Sequence, residues 1–347
     1  MNAEKGKFLK AAGSIWGQRV TILVAVIVVM AIVQPRFFSS GNMLSILLAI
    51  AFYGVIASGM LFVVLIGGID LAVGSEAALG GTIFTMYVLA HDMSAGTFFT
   101  AFLLAILVAI LVGLLHGFFD AYLGMPSFVV TLATQYALYG LTQYITKMNY
   151  LPVLNASGLF YQLGNGKLFG IPSPVIWFVI LAVIAAFVLK KTPYGRRIYA
   201  VGGNPHAAEL VGVSSKFHKM TAYIICAVTA SIAGMLLVSM NMVSSYKMAA
   251  GYEGPVLMAL VIGAVNLMGG EGSMGGVFFG ALLVGIINNM LILIGIDTDY
   301  KEFVQGCIII LAVAINVYTS RKSQGLVDQK RRRMPWLNRP KRGAPDG

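Results

Sequence analysis

Long charge-free stretches alternate with short polar ones along this chain. Residues 37–69, 93–119, 121–146, 168–189, 220–246 and 272–296 contain no Asp, Glu, Lys or Arg. Each meets the roughly 20 residues that an α-helix needs to cross a bilayer. Two shorter runs, 254–270 and 303–320, come close to that length. Lipid offers no hydrogen bonds, so a spanning backbone must satisfy itself as a helix or a closed barrel. The runs lack the period-2 alternation of barrel strands, which leaves helices. Ten spans are predicted, roughly 20–38, 43–66, 73–90, 96–118, 126–146, 171–189, 219–240, 253–268, 274–296 and 303–319. The third and eighth are short and glycine-rich, which marks them as candidates for broken or tilted segments. The expected fold is an all-α polytopic membrane bundle of about ten transmembrane helices.

One polar stretch is longer than a turn requires. Residues 190–219 read KKTPYGRRIYAVGGNPHAAELVGVSSKFHK. Asn204 followed by Pro205 has the pattern of a helix cap and a first helical residue. Ala207, Ala208, Glu209, Leu210 and Val211 propagate the helix, and Gly212 can end it. A short helix with small residues on one face can seat in a groove of a soluble partner. With an even number of spans, both chain ends and this insert share one side. That side receives 19 of the 24 Lys and Arg residues: four before residue 20, six in the insert and nine between 321 and 342. Basic residues collect on the cytoplasmic face. One helix more or fewer would put the insert and the basic tail on opposite sides. The organisation expected is a basic cytoplasmic N-terminus at 1–19, one transmembrane domain at 20–320 and a basic tail at 321–347. The Pro and Gly content of the tail favours disorder.

Composition agrees with this class. The chain is 58% hydrophobic and 11% charged, against roughly 25% charged for a soluble domain. The net charge of +11 follows from the topology signal and the tail KRRRMPWLNRPKR at 330–342. Attraction to anionic lipid headgroups accounts for that tail, and no nucleic-acid partner is expected. The apolar run beginning at Val20 is not followed by a small-residue cleavage site, so no signal peptide is expected. Cys226 and Cys307 fall inside predicted spans and read as buried apolar residues, with no disulfide or metal site implied. A phosphate loop is absent, since GNGK at 164–167 lacks its spacing and hydroxyl. There is no H-E-x-x-H pair, and the four histidines are scattered. His91 and His218 read as loop residues. No catalytic residue and no cofactor are expected.

The candidate chemistry lies in polar residues inside apolar runs. LIGGIDLAVGSEAALGG at 65–81 places Asp70, Ser75 and Glu76 around a glycine hinge. A carboxylate at mid-bilayer costs about 2.5–3.5 kcal/mol on the insertion scale. Such groups face the bundle interior and mark pathways, or Asp70 caps the next helix at the membrane edge. MPSFVVTLATQYALYG at 125–140 opens on Pro126 and carries Thr131 and Thr134, which bond within the helix or face a path. In LMGGEGSMGGVFFGALLVGIINN at 267–289, Gly272, Gly276 and Gly280 recur every fourth residue. Small residues at that spacing let helices approach closely. Asn288 and Asn289 are adjacent amides that need a partner across helices or a polar solute.

Four of these segments occur in a recognisable order: GGIDLAVGS at 67–75, PSFVVTLAT at 126–134, TPYGRRIYAVGGNPHAAELVGV at 192–213 and the glycine-rich 263–289. Together they resemble the permease subunits of ribose-type monosaccharide ABC importers, from about residue 20 to 320. Ala72 stands where the commoner motif has Ser, and the tail beyond Ser320 is longer and more basic than the family pattern. The resemblance implies a type II importer bundle in the bacterial inner membrane. It implies that ATP is bound by a separate cytoplasmic ABC ATPase. Two permease subunits, identical or paralogous, would form the pathway, and a periplasmic sugar-binding protein would deliver the solute. It makes 192–213 the ATPase-coupling segment, with Gly195, Ala200, Gly202, Gly203, Asn204, Pro205, Ala207, Ala208 and Gly212 at its recurring positions. Asp70, Ser75, Glu76, Thr131, Asn288 and Asn289 become candidates for the pathway or its gate. The rival class is an ion-coupled secondary transporter or channel working through Asp70, Glu76 and Asp120. Against it, no two carboxylates are evidently paired in mid-span.

Overall fold

The computed structural model of the chain describes residues 34–154 and 158–295, with isolated positions between 23 and 32 and between 300 and 314. The N-terminal segment 1–19, most of the first and last predicted spans and the tail 321–347 lie outside the described residues.

A 3-10 turn at Pro35–Phe38 leads into α1 (Ser40–Leu65). Next come α2 (Val73–Ala90), α3 (Ala95–Ala121) and α4 (Ser127–Thr146). A short α5 (Gly158–Asn165) precedes α6 (Ser173–Lys191). The polar insert forms α7 (Pro193–Gly203) and α8 (Pro205–Leu210). Then follow α9 (Ser215–Asn241), α10 (Glu253–Ile262) and α11 (Met274–Leu293). Two small antiparallel ladders close the loops: β1 (Leu151–Pro152) pairs with β4 (Val243–Ser244), and β2 (Lys167–Leu168) with β3 (Ile171–Pro172).

The helix starts follow local chemistry. The side chains of Ser39, Ser94, Thr192, Asn204, Ser214 and Ser273 each accept a backbone N–H from the first turn of the helix they precede. Such caps satisfy amides that have no intrahelical partner. Gly212, at φ +80°, ends α8. Its N–H donates to the Glu209 carbonyl, and the Val213 N–H reaches back to Ala208. That is the paired closure for which a left-handed glycine is suited.

Among the described residues, six helices are long and apolar enough to span a membrane: α1, α2, α3, α6, α9 and α11. α1 and α9 are buried along most of their length, whereas α3 and α6 bury one stripe each. An all-round apolar helix belongs in the core of a bundle. On α3 the buried stripe is Ala101, Ala105, Ala109, Gly113 and Gly117. A Cβ on Gly113 would lie 2.5 Å from the Ile224 Cα, and one on Gly117 2.5 Å from the Met220 Cα. These gaps let α3 lie directly against the backbone of α9.

The eighth predicted span is a half-span. α10 has ten residues, about 15 Å of helix, and cannot cross a hydrocarbon core of about 30 Å. It stops at Gly263, after which Ala264, Gly269 and Gly270 take positive φ. The segment before it is also irregular. Ser244 Oγ lies 2.9 Å from Thr82 Oγ1, and the Ala249 carbonyl lies against Gly74. Non-helical backbone at membrane depth is tolerated where protein covers it, and Ser244 and Ala249 are fully buried.

Candidate functional site

The loop between α1 and α2 is pinned by the start of α4. The Ile69 N–H donates to Ser127 Oγ (3.0 Å), and the Leu71 N–H donates to Thr131 Oγ1 (3.1 Å). Asp70 Oδ1 accepts the Ala72 N–H at 2.9 Å; that bond closes the turn before α2, whose first-turn amides take no side-chain cap. The other Asp70 oxygen points at a cluster. His116 Nδ1 of α3 lies 3.5 Å from Asp70 Oδ2 and 3.4 Å from Glu76 Oε1. All three side chains are sealed from solvent. The fold therefore pairs two carboxylates that looked unpaired in the sequence, and it adds His116, which sequence reading passed over. The signal lay in the spacing of His116 and Asp120, one turn apart in the last two turns of α3.

These separations exceed a charge-assisted hydrogen bond, about 2.7–2.9 Å. One ligand atom from each residue lies within 4.8 Å of the others. That donor set of two carboxylates and an imidazole suits a divalent transition cation or shared protons. Asp120 behaves differently: Lys219 Nζ donates to Oδ1 at 2.8 Å and Tyr223 Oη to Oδ2 at 2.9 Å. Its charge is balanced in place.

Ser75 donates to the Ala72 carbonyl (2.8 Å), and Thr131 also bonds the Ser127 carbonyl (3.0 Å). Asp70, Ser75, Glu76 and Thr131 are thus brought together, but as buried supports of the Asp70 loop rather than on an open surface. Asn288 and Asn289 sit elsewhere. Asn289 exchanges two hydrogen bonds with Asn42 at the start of α1, at 2.6 and 3.0 Å. Asn288 Oδ1 accepts from Gln305 at 2.6 Å. The Asn289–Asn42 pair and the Asp70–Glu76–His116 cluster are thus built on different partners. Replacing Asn289 with Leu leaves the half-buried Asn42 Oδ1 without its donor, while Asn42 Nδ2 keeps the Phe37 carbonyl at 2.8 Å; the expected cost is about 1 kcal/mol. The double change Asn42→Leu with Asn289→Leu is expected to recover most of the loss in thermal unfolding of detergent-purified protein.

Gly276 and Gly280 serve close packing as expected. A Cβ on Gly276 would lie 2.2 Å from the Gly263 carbonyl, and one on Gly280 1.9 Å from that of Ala259, both at the α10 contact. Gly272 precedes α11 instead of sharing its face, and packs against Val265 and Leu65.

The insert is two helices, not one. α7 lies on the end of α1: a Cβ on Gly202 would fall 1.7 Å from the Leu65 carbonyl, and Tyr199 Oη donates to the Gly272 carbonyl at 2.8 Å. Gly195 packs on the last turn of α6. Burial pushes the Tyr194 and Tyr199 phenols up; for Tyr194, a hydrogen bond with Thr221 works in the opposite direction. On α8, Asn204 caps as expected, while Gly203, Pro205, Ala207 and Gly212 are exposed. Ala208 is buried against the chain itself, so its small size serves the insert's own packing rather than a partner's groove. The exposed apolar surface here is Leu210 (81%) and Val211 (77%). His218 is not a loop residue: it is buried in the first turn of α9 and stacks on Tyr194.

A second polar group escaped sequence reading. Gln135 Nε2 of α4 donates to Glu253 Oε1 at 3.2 Å. Among the described residues, the buried Glu253 Oε2 and Tyr139 Oη have no hydrogen-bond partner. A Cβ on Gly74 would meet both, at 3.2 and 3.0 Å.

Residues 42–313 match the family described as branched-chain amino acid transport system / permease component. The ribose import permease protein RbsC of Bacillus subtilis is 37% identical over 294 residues, 85% of this chain and 90% of that protein. Its namesake in Escherichia coli K12 is 33% identical over 309 residues, 87% and 94% of the two chains. The D-allose transport system permease protein AlsC of E. coli K12 is 31% identical over 301 residues, 86% and 91%. No solved structure shows a significant match.

Proposed function

The chain belongs to the branched-chain amino acid transport system / permease component family, and from that premise we propose that it is the membrane-spanning subunit of an ATP-driven importer for a monosaccharide or a related small polar solute. The observation that carries this reading is the likeness to ribose import permeases over almost the full length of both chains. The family description mentions amino acids, whereas the similar relatives are named for sugars. Those relatives favour the sugar. As a multi-pass permease subunit the chain leaves ATP hydrolysis to another polypeptide.

Ten spans, a cytoplasmic insert and an inner-membrane location complete the proposal. α7 and α8 form the seat of a cytoplasmic ABC ATPase, a second permease subunit shares the pathway, and a periplasmic protein delivers the solute. Support for the seat comes from the way α7 touches the end of α1 and the loop after α10, which connects the insert to the half-span. Motion of the insert therefore has a direct route into the bundle.

The test is uptake of labelled ribose and labelled leucine into vesicles holding this chain with its ATPase and binding protein. Ribose is expected to accumulate only with ATP and to keep accumulating when the proton gradient is collapsed. Accumulation on an imposed ion gradient by this chain alone would refute the reading and favour the secondary transporter.

A further inference from the structure

Two interrupted segments of the bundle end at one depth. Tyr53 is 12 residues before Leu65, about 18 Å from the insert end of α1. That is near the middle of this 26-residue helix. The Tyr53 ring lies edge-on to Tyr252, centroids 5.1 Å apart, immediately before α10 begins at Glu253. α2 begins at Val73, and Gly74 lies against the Ala249 carbonyl and Glu253 Oε2. In secondary transporters, half-helix ends near mid-membrane hold the solute.

The helix facing this junction is unlike the other long ones. α4 has 20 residues, yet it falls short of the hydropathy of the six apolar helices. Thr131, Thr134, Gln135, Tyr139, Thr142 and Gln143 account for the difference. Gln135 and Tyr139 turn toward Glu253 from half-buried positions. The group comprises a carboxylate, an amide and a phenol, with the Tyr53–Tyr252 pair behind it. Two of its oxygens have no hydrogen-bond partner among the described residues. A buried carboxylate oxygen without a donor is costly, and a donor from outside the protein would satisfy it. Sugar hydroxyls supply such donors and also accept from an amide or a phenol. Leucine offers no side-chain hydroxyl to this group.

We propose that Glu253, Tyr139 and Gln135 form a polyol-binding station halfway along the pathway. It takes monosaccharide hydroxyls as the half-span α10 and α4 move apart. Gly74 keeps α2 close enough to form the station's floor, because a Cβ there would sit 2.4 Å from the Ala249 carbonyl. This inference rests on the reading of the chain as a sugar permease.

The test uses the assembled importer in vesicles, with labelled ribose and 2-deoxyribose. Glu253→Gln is expected to lower ribose uptake at least tenfold, and Tyr139→Phe, which removes one oxygen, three- to tenfold. Both variants should shrink the preference for ribose over its deoxy analogue, a change that loss of folded protein would not produce. ATPase co-purification measured in parallel reports assembly. Uptake and preference within twofold of the parent in both variants would overturn the station. So would uptake that falls in proportion to assembly with the preference unchanged. If the parent importer itself moves no sugar, the permease reading fails first, and the station with it.

Discussion

Leu210→Arg is expected to release the ATPase while leaving the membrane bundle folded. Leu210 is 81% exposed at the end of α8 and lies beside Val211, 77% exposed. Two solvent-facing apolar side chains at the end of a capped six-residue helix, Leu210 in its last position and Val211 just after it, contribute nothing to the subunit's own core. Burial in a partner's groove would make them anchors, and truncating an anchor costs about 2–4 kcal/mol of binding. A guanidinium in an apolar seat adds the cost of an unpaired buried charge. ATPase co-purification should fall roughly 100-fold, since 2.7 kcal/mol corresponds to that factor. Transport should follow, while thermal unfolding of the isolated subunit stays unchanged. Leu210→Met, similar in volume, should behave like the parent. Position 208 is the wrong place for this experiment, because an Arg there would break the insert from within. Normal co-purification of Leu210→Arg would mean that α8 is not the docking element.

Gly202→Ala is expected to uncouple the insert from the bundle, and Gly203→Ala to do nothing. The two glycines are adjacent, but their surroundings differ sharply. A Cβ at 202 would fall 1.7 Å from the Leu65 carbonyl and 2.6 Å from the Gly270 amide. Those two atoms share a 2.9 Å hydrogen bond. The added methyl would force backbone apart at the point where α7, α1 and the loop after α10 meet. Overpacking costs about 1–3 kcal/mol, and the lost hydrogen bond about 1 kcal/mol more. Among the described residues, a Cβ at 203 meets nothing within 4 Å. Ribose uptake should fall more than tenfold in Gly202→Ala, with Tm several degrees lower, and remain near the parent level in Gly203→Ala. Equal behaviour of the two variants would remove the mechanical link from the insert to the half-span.

The helices were legible because a spanning helix needs only length and the absence of charge, both local properties. Predicted spans 43–66, 73–90 and 126–146 match the bounds of α1, α2 and α4 to within three residues at either end, although α4 falls short of the hydropathy of a spanning helix. The cap at Asn204 and the stop at Gly212 were legible for the same reason, since each depends on side chains within one turn. The small-residue stripe on α3 was equally periodic, but its value depends on α9, which arrives about 100 residues later. Gly272 failed the other way: its spacing matched Gly276 and Gly280, but the helix that would have aligned it begins only at Met274.

The sequence by itself determined that this chain is a helical membrane protein with one structured polar insert, because hydropathy and basic-residue bias act residue by residue against the bilayer. It also supplied the family, because four motifs in order identify a chain without any contact being known. Only the tertiary structure decided what the polar residues do. Asp70 meets His116 across 46 residues of sequence, Asn289 meets Asn42, and Glu253 meets Gln135. A buried polar group takes whichever partner the packing of small residues brings within reach. That choice depends on how closely helices approach, and close approach is set jointly by two helices at positions such as Gly113, Gly202 and Gly280.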